Sequence, residues 1–475
     1  MAEDQDRFKN NQNQTLMSAF ARQGLSSNQS VLGIYDPVPV VLHDNYVATR
    51  FQYRYIVRVF RRESSTWIPI ATLKRIPNAT SSGAFDLSQL LRGSLEIGDP
   101  SNDPNSTVDN PCSFSNNAEF FRIDIGSEYA FTDGGTINEY MTDTYYTGAI
   151  AARYLDEFQA WGTDVIASKF VLKSTGSYKQ FLTEREPTYF KYAGQQHYGY
   201  VVALPRRLMK MTMSFLSTDN TAPYDTDANK LFVGIGVLNT QFGQAEVNLK
   251  DPQDVSNTSF GLGMNLSDGG LVRDLHVGYA DIETYDWATN IQGSTQWDRM
   301  FVQIRAQSDS TARSLPVLFT LGDCGQDGVQ FKFLNRFGGY DYVFCTGYTE
   351  KTTDYTRETF STGTGNWHTA DGVTTLLQTN DPNKRQTKSN VTREKRKFRA
   401  HTGYVKPEDN ELVMALLGSK RVYATKFVTP RSAPEDDYYP VVITNSSMKA
   451  MYQQTDKLIE YTIEFEYANN PRPMV

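Results

Sequence analysis

The residue types that most often do chemistry are scattered along this 475-residue sequence. No histidine belongs to a zinc-protease motif or to a pair at metal-ligand spacing. No nucleophile elbow, Walker loop or dinucleotide fingerprint is present, and Gly261-Leu-Gly263 lacks both a third glycine and a following helix. We therefore expect no catalytic residue, no metal, no cofactor and no small-molecule substrate. The five histidines are His43, His197, His276, His368 and His401.

Two groups of carboxylates are candidates for sugar cleavage, because two acids facing each other across a cleft catalyse that reaction. They are Asp281 with Glu283, and Glu435 with Asp436 and Asp437. The sequence does not give the distance between them, and solvated loop acids are the favoured interpretation. A glycan depolymerase is therefore kept as an alternative function.

One basic segment stands out from the rest of the chain. Eight lysines and arginines lie within sixteen positions, where Glu394 is the single acid. Such a run binds phosphates by releasing counterions, but only Phe398 offers a stacking ring. Three interpretations are open: a solvated loop, a contact with an acidic patch of a neighbouring subunit, or a collar facing DNA in a channel. Like charges repel, so something negative has to compensate them, and because the chain as a whole is acidic a neighbouring subunit is favoured over DNA. The cations are Lys384, Arg385, Lys388, Arg393, Lys395, Arg396, Lys397 and Arg399.

The composition describes a folded protein without covalent staples. Apolar residues make up 39% of the chain and the formal net charge is −7, which gives no global attraction to nucleic acid. The cysteines Cys112, Cys324 and Cys345 match neither a metal site nor a disulfide framework, which favours folding in a reducing cytoplasm. No apolar run is long enough to span a membrane, and the polar N-terminus does not read as a signal peptide.

Period-two alternation is the dominant structural signal. In Phe51–Phe60 one face carries Phe51 and Tyr53 followed by further apolar residues, and the other carries arginines, which predicts a half-buried strand. Gly338-Gly339 between two apolar runs predicts a β-hairpin. We therefore predict an all-β fold with two to three antiparallel β-sandwich-like domains. Short helices are expected only near 15–22, 86–92, 153–165 and 407–417.

The predicted organisation has an arm and three domains. A polar N-terminal arm covers 1–30, a β-sandwich-like domain 31–168, and a second antiparallel β domain 169–310. A C-terminal β domain, 311–475, contains the helix 407–417. Residues 349–390 are expected to form a long loop, and 384–399 a basic loop.

Two segments carry a resemblance to known proteins. One is Gly83–Arg92 followed by Phe121–Tyr129, and the other is Phe333–Phe344 with the closing Leu458–Tyr467. They resemble β-rich tail and neck virion proteins of tailed bacteriophages, especially those of Bacteroidetes, crAss-like and marine phages. The resemblance implies a structural protein of the virion that folds in the host bacterial cytoplasm. Its implied partners are copies of itself and other virion proteins, with DNA passing through a channel as a further partner.

Three functions are therefore weighed. The first is a ring or baseplate-like tail or neck subunit without enzymatic activity. The second is a receptor-binding or sugar-binding fibre or decoration protein, although no repeated shaft or coiled coil is visible. The third is the glycan depolymerase, although no stacked short repeats of a parallel β-helix are visible. We expect the first.

Overall fold

The computed structural model describes only part of the chain, and every structural statement below concerns these residues. Several predictions fall on residues outside the described ranges and stay predictions. They concern the arm 1–30 (apart from Ser30), the helices near 15–22 and 153–165 (apart from Arg153), Cys324 and both carboxylate groups. The described ranges are 30–44, 46–63, 66–95, 112–114, 117–153, 169–172, 178–192, 194–204, 211–217, 230–238, 260–261, 272–277, 299–306, 311–321, 328–361, 365–370, 373–378, 387–406, 409–425, 438–445 and 459–468.

Strands dominate the described residues. The first part contains β1 (Ser30–Gly33), β2 (Pro39–His43), β3 (Phe51–Glu63), β4 (Thr66–Arg75), β5 (Ser82–Asp86), helix α1 (Ser88–Ser94), β6 (Cys112–Phe114), β7 (Ala118–Ala130) and β8 (Asn138–Ile150), with a 3-10 turn at Val47–Thr49. The middle contains β9 (Val171–Leu172), β10 (Thr188–Tyr192), β11 (Gln195–Leu204), β12 (Thr212–Ser217), β13 (Lys230–Leu238), β14 (Phe260–Gly261), β15 (Val272–His276), β16 (Arg299–Ala306) and β17 (Val317–Leu321). The last part contains β18 (Val329–Leu334), β19 (Tyr340–Cys345), β20 (Thr349–Ser361), β21 (Gly365–Ala370), β22 (Val373–Gln378), β23 (Thr387–Val405), helix α2 (Asn410–Gly418), β24 (Val422–Thr425), β25 (Tyr438–Ile443) and β26 (Ile459–Tyr467).

Four larger sheets collect these strands, and the predicted all-β fold is confirmed. The N-terminal sheet has the order β1-β8-β7-β3-β4, the six-stranded sheet β10-β11-β17-β16-β13-β14, and the four-stranded sheet β6-β15-β12-β9. The C-terminal sheet has the order β19-β18-β24-β25-β26-β23-β20, while β2–β5 and β21–β22 form separate pairs. Most pairs are antiparallel as expected, but β1–β8, β11–β17 and β12–β9 are parallel.

Strand β3 confirms the alternation except at its start. Tyr53, Tyr55 and the two following valines of that face are buried, whereas Phe51 is 44% exposed. A register shift against β7 lies between Phe51 and Arg54, and Gln52 has a φ of 53°. A β-bulge of this kind inserts an extra residue and turns the preceding side chain to the other face. The prediction that Phe51 lies on the buried face is therefore wrong.

Helix α1 begins two residues later than predicted. Asp86 ends β5, and its carboxylate accepts hydrogen bonds from the backbone N–H of Ser88 (3.0 Å) and of Val38 (3.1 Å). The Asp86 side chain thus fixes both the start of the helix and the position of the chain at Val38. Leu87 and Leu91 are fully buried on the inward side of the helix.

The sheets cross the predicted domain boundaries. Strand β17 lies beyond residue 310 but pairs with β11 and β16 of the middle segment. Strand β6, from the first predicted domain, pairs with β15. One apolar core cluster joins all four larger sheets, with members such as Val57, Phe215, Val302 and Tyr342. The three-domain division stays a prediction, and the described core is continuous across it.

The C-terminal segment contains both a confirmed element and an error. The Gly338-Gly339 hairpin forms, with β18 and β19 paired from Val329–Cys345 to Leu334–Tyr340. The long loop expected at 349–390 and the basic loop at 384–399 are wrong where the structure describes them. Strands β20, β21 and β22 and the first part of β23 occupy these residues, rich in Thr and therefore suited to strands. Helix α2 confirms the helix predicted at 407–417, with a start three residues later and an end one residue later.

The turn of this hairpin is the point where sheets meet. The Asn335 side chain accepts hydrogen bonds from the backbone N–H of Phe337 and of Gly339, each at 3.0 Å, which holds the turn. Gly338 has a φ of 86°, a conformation that favours glycine. A Cβ at Gly339 would overlap the carbonyl oxygen of Leu182. The turn therefore packs against the 181–185 segment without room for a side chain.

A buried carboxylate ties the same hairpin to its surroundings. Asp341 accepts hydrogen bonds from Thr183 Oγ1 (2.5 Å), from the backbone N–H of Glu184 (2.7 Å) and from Asn335 Nδ2 (2.9 Å). Burial raises the pKa of this carboxyl, although its hydrogen-bond donors oppose the shift. Strand β12 of the four-stranded sheet also contacts the hairpin, because Ser214 Oγ accepts a hydrogen bond from the backbone N–H of Tyr340.

Candidate interaction surface

A long two-stranded ribbon extends from the edge of the C-terminal sheet. Strand β23 pairs with β26 only from Phe398 onward, but it pairs with β20 as far as Thr387–Ser361. We call residues 354–361 together with 387–395 the ribbon. Eight residues of extended chain correspond to roughly 27 Å. In the described part of the chain no third strand pairs with the ribbon.

Neither face of the ribbon's first strand is covered. Residues 354–360 are exposed one after another, whereas a strand that packs on one side alternates. Tyr355 and Phe360 are 48% and 51% exposed, and the Arg357 guanidinium lies 5.8 Å from the Tyr355 ring centroid. Large apolar rings on an uncovered ribbon are typical of a contact surface. Apart from a Thr-rich composition that favours strands, no local pattern around Tyr355 and Phe360 predicts that these rings are exposed on a strand.

Three described cations of the basic run, Lys395, Lys397 and Arg399, form a row of ion pairs at the ribbon's base, which we call the charge ladder. On the outer face of the sheet, Lys395 Nζ lies 2.8 Å from Glu466 Oε1 and Lys397 Nζ lies 2.8 Å from Asp354 Oδ2. Arg399 contacts Glu464 at 2.7 Å and Glu350 at 3.5 Å. These hydrogen bonds raise the pKa of Lys397 and of Arg399.

The remaining predicted site residues have different positions. Lys384 and Arg385 lie outside the described residues. Lys388 and Arg393 belong to β23, where the backbone pairs them with Phe360 and Thr356. Arg396 points to the opposite side from its odd-numbered neighbours, the side on which Phe398 is buried. Among the cations whose side chains the structure describes, Arg396 therefore does not share a face with Lys395, Lys397 and Arg399.

Histidines in the described part lie among aromatic and hydroxyl groups. His401 stacks on Tyr348 with ring centroids 3.9 Å apart, and its Nδ1 lies 3.2 Å from Thr462 Oγ1. His197 lies 5.0 Å from the ring of Phe301, and burial lowers its pKa. The described residues contain no group of three or more histidine, cysteine or acidic side chains arranged to hold a metal ion. Their helices include none long and apolar enough to cross a membrane.

Comparisons with known proteins add no family. No family model and no curated protein matches this chain. Among solved structures, a crystal structure of a mutant Salmonella alpha-2-macroglobulin is 9% identical, with a TM-score of 0.13, over 94% of this chain and 30% of that one. The chain thus spans less than a third of that protein, and the similarity carries no argument about fold or function. The sheets and the ribbon describe an all-β protein with a projecting two-stranded element.

Proposed function

We propose that this chain is a non-enzymatic structural subunit of a large assembly, in which the ribbon binds a neighbouring copy. One observation carries the proposal: residues 354–360 are exposed on both faces of a two-stranded ribbon. A two-stranded ribbon is marginally stable by itself in water. A partner that covers it therefore stabilises the ribbon while the ribbon holds the partner.

Two exposed rings provide the apolar part of this contact. Tyr355 and Phe360 each expose about half of their surface. If a partner covers the exposed part, roughly 100 Å² per ring, each ring contributes up to ~2.5 kcal/mol to the free energy of binding. Two such anchors are enough to make the ribbon the energetic centre of an interface.

Charge favours another copy of the chain as the partner. The ribbon contains four lysines and arginines against three acids, a net charge of +1, in a chain of net charge −7. The rest of the chain is therefore more acidic than the whole, and the ribbon of one copy is attracted to the body of the next. Different surfaces meet in such a contact, which is the geometry that closes rings.

DNA is the less favoured partner. A DNA-facing surface presents cations with no acid beside them, because phosphates have to replace their counterions. At the base of the ribbon, Lys395, Lys397 and Arg399 each lie within ion-pair distance of an acid of the same chain. The outer face is thus close to neutral, and a protein neighbour fits it better.

The particular assembly we propose is the virion of a tailed bacteriophage, at its tail or neck. The support is the resemblance of the two segments quoted above, of which Phe333–Phe344 coincides with the hairpin where the sheets meet. Other virion proteins are then further partners, and the host cytoplasm is the place of folding. A stiff body with a projecting ribbon suits this function.

A shortened ribbon tests the proposal. Asp354 and Lys395 face each other across β20 and β23, so residues 355–394 are replaced by Asn-Gly, which favours a tight hairpin turn. The variant retains the ion pairs of Lys395 and Lys397. We expect a far-UV circular dichroism spectrum that still has the shape of a folded β protein, weakened only by the strands that were removed. The oligomer should be lost in sedimentation velocity and electron microscopy.

The double variant Tyr355→Ser/Phe360→Ser should weaken assembly without shortening the chain. Its matched control is Tyr189→Ser, which removes a ring that is 69% exposed on β10, in another sheet. Normal oligomers from the shortened variant contradict the proposal. So does an intact chain that is monomeric at every concentration, or one that binds double-stranded DNA through the ribbon.

A further inference from the structure

A second surface lies at one end of the N-terminal sheet, far along the sequence from the ribbon. Pairing of Phe51 with Ala130 brings the chain around residues 46–51 beside the chain around 131–137. Three aromatic side chains are exposed there: Tyr46 by 49%, Phe51 by 44% and Phe131 by 52%. We call these three rings, together with Arg50, the aromatic tip.

Arg50 lies against two of these rings, Phe131 and Tyr46, and against the neighbouring Tyr129. Its guanidinium carbon is 4.4 Å from the ring centroid of Phe131, 5.2 Å from that of Tyr129 and 5.8 Å from that of Tyr46. These cation–π contacts hold the side chain in place without using its N–H groups. Within the described part of the chain the guanidinium makes neither a hydrogen bond nor an ion pair, and its Nε is buried without a partner.

Other arginines of the same sheet are treated differently. Arg54 is paired with Glu128 at 3.4 Å, Arg58 with Glu139, and Arg75 donates to the carbonyl of Ala84. Each of these three arginines thus has an acceptor within the fold. At Arg50 it supplies rings instead, which leaves a positioned donor fork for an external acceptor.

The backbone beside Arg50 has an uncommon conformation. Gln52 has a φ of 53°, in a region that a residue other than glycine enters at some cost. The bulge at this point turns Phe51 outward, away from the buried face that Tyr53 occupies. Bulges often redirect side chains next to binding sites, and here the redirected Phe51 ring is exposed at the residue that follows Arg50.

We propose that the aromatic tip binds an acidic sugar, a pyranose that carries a carboxylate. The planar guanidinium matches a carboxylate in two parallel hydrogen bonds, which a single ammonium does not do. The half-exposed rings offer flat apolar faces to the C–H face of the sugar, and such surfaces with a few placed polar groups are typical of ligand sites. Nucleic acid is disfavoured because Arg50 is a single cation, whereas binding to a phosphate backbone draws on several cations.

The proposal does not depend on the ribbon, and titration calorimetry tests it. The probe is a tetrasaccharide that alternates glucuronate with N-acetylglucosamine, and the reference is the neutral N-acetylglucosamine tetrasaccharide. The intact chain should bind the acidic probe at least tenfold more tightly than the neutral one, with an affinity that falls as salt rises. Arg50→Gln should abolish this preference, and Phe131→Ala should weaken both sugars.

Two further variants keep the test decisive. Arg75→Gln removes an exposed arginine near the same end of the sheet and should bind like the intact chain. Arg50→Lys keeps a cation over the rings but loses the fork, so it should fold normally and bind the acidic probe about tenfold more weakly. Equal binding of both sugars by the intact chain, or full binding by Arg50→Lys, overturns the proposal. Equally tight, Arg50-dependent binding of a polyglutamate peptide overturns the assignment to a sugar.

Discussion

Replacing Asp341 by alanine is expected to destabilise the fold by about 3–6 kcal/mol. The carboxylate accepts three hydrogen bonds, and it is shielded from water. Each donor left buried without a partner costs ~1–3 kcal/mol, and because the three donors share one acceptor their costs overlap rather than add fully. The loss should affect the body of the protein, since the donors come from both the 181–185 segment and the hairpin turn.

Urea-induced unfolding followed by far-UV circular dichroism measures this loss. Asp341→Asn keeps the side-chain volume and one acceptor, but it turns an N–H group toward existing donors. We therefore expect this variant to lower the free energy of unfolding by ~1–3 kcal/mol. Thr183→Val removes one donor, and the double variant with Asp341→Ala should show a coupling of ~1 kcal/mol or more.

A surface aspartate provides the matched control for this series. Asp133 is exposed at the turn between β7 and β8, and Asp133→Ala should change the free energy of unfolding by less than ~0.5 kcal/mol. An Asp341→Ala variant within ~1 kcal/mol of the intact chain refutes the reasoning that this carboxylate joins the sheets.

Three further predictions concern the hairpin and helix α2. Burial raises the pKa of Asp341 above its unfolded value of ~3.9. The stability that this group contributes below that value is therefore lost as pH rises through the folded pKa. In urea titrations the free energy of unfolding of the intact chain should exceed that of Asp341→Asn by more at pH ~4 than at pH ~7. Gly339→Ala should displace the hairpin from Leu182 and lower the unfolding midpoint sharply, whereas Gly418→Ala, with open space around its Cβ position, should not. Leu416→Ala should cost ~2–5 kcal/mol because the side chain is fully buried, while Met414→Ala on the exposed side should cost below ~1 kcal/mol.

Strands that pack on one side could be predicted from the sequence. In β3 and β26 apolar residues alternate with polar ones, and burial follows that alternation from Ile459 to Phe465 and, apart from the buried Ile56, from Tyr53 to Val59. The exception at Phe51 arises from a bulge, which depends on the register against β7 and therefore has no signature within the strand itself. The aromatic tip could not be predicted for the same reason, since Arg50 and Phe131 meet only through that pairing.

The ribbon could not be predicted because the usual signal for a strand is absent there. Period-two alternation arises when one face is covered, and residues 354–360 are exposed on both faces. What remained was a composition rich in Thr, Asn and Gly, which suits loops as well as strands. The sequence also could not predict which strands share a sheet. Strands β6 and β15, for example, pair across more than 150 residues of chain.

The charge ladder changes what the basic run implies about assembly. From the sequence, clustered cations required an external anion, since Glu394 is the only acid among them. In the fold, β20 and β26 supply acids from distant positions, and the alternation of β23 turns Arg396 away from Lys395 and Lys397. Reversing those lysines therefore tests the sheet rather than the interface. What is left for a neighbour is the distal ribbon, with its two exposed rings, so variants of ribbon length and of those rings are the ones that separate assembly from folding.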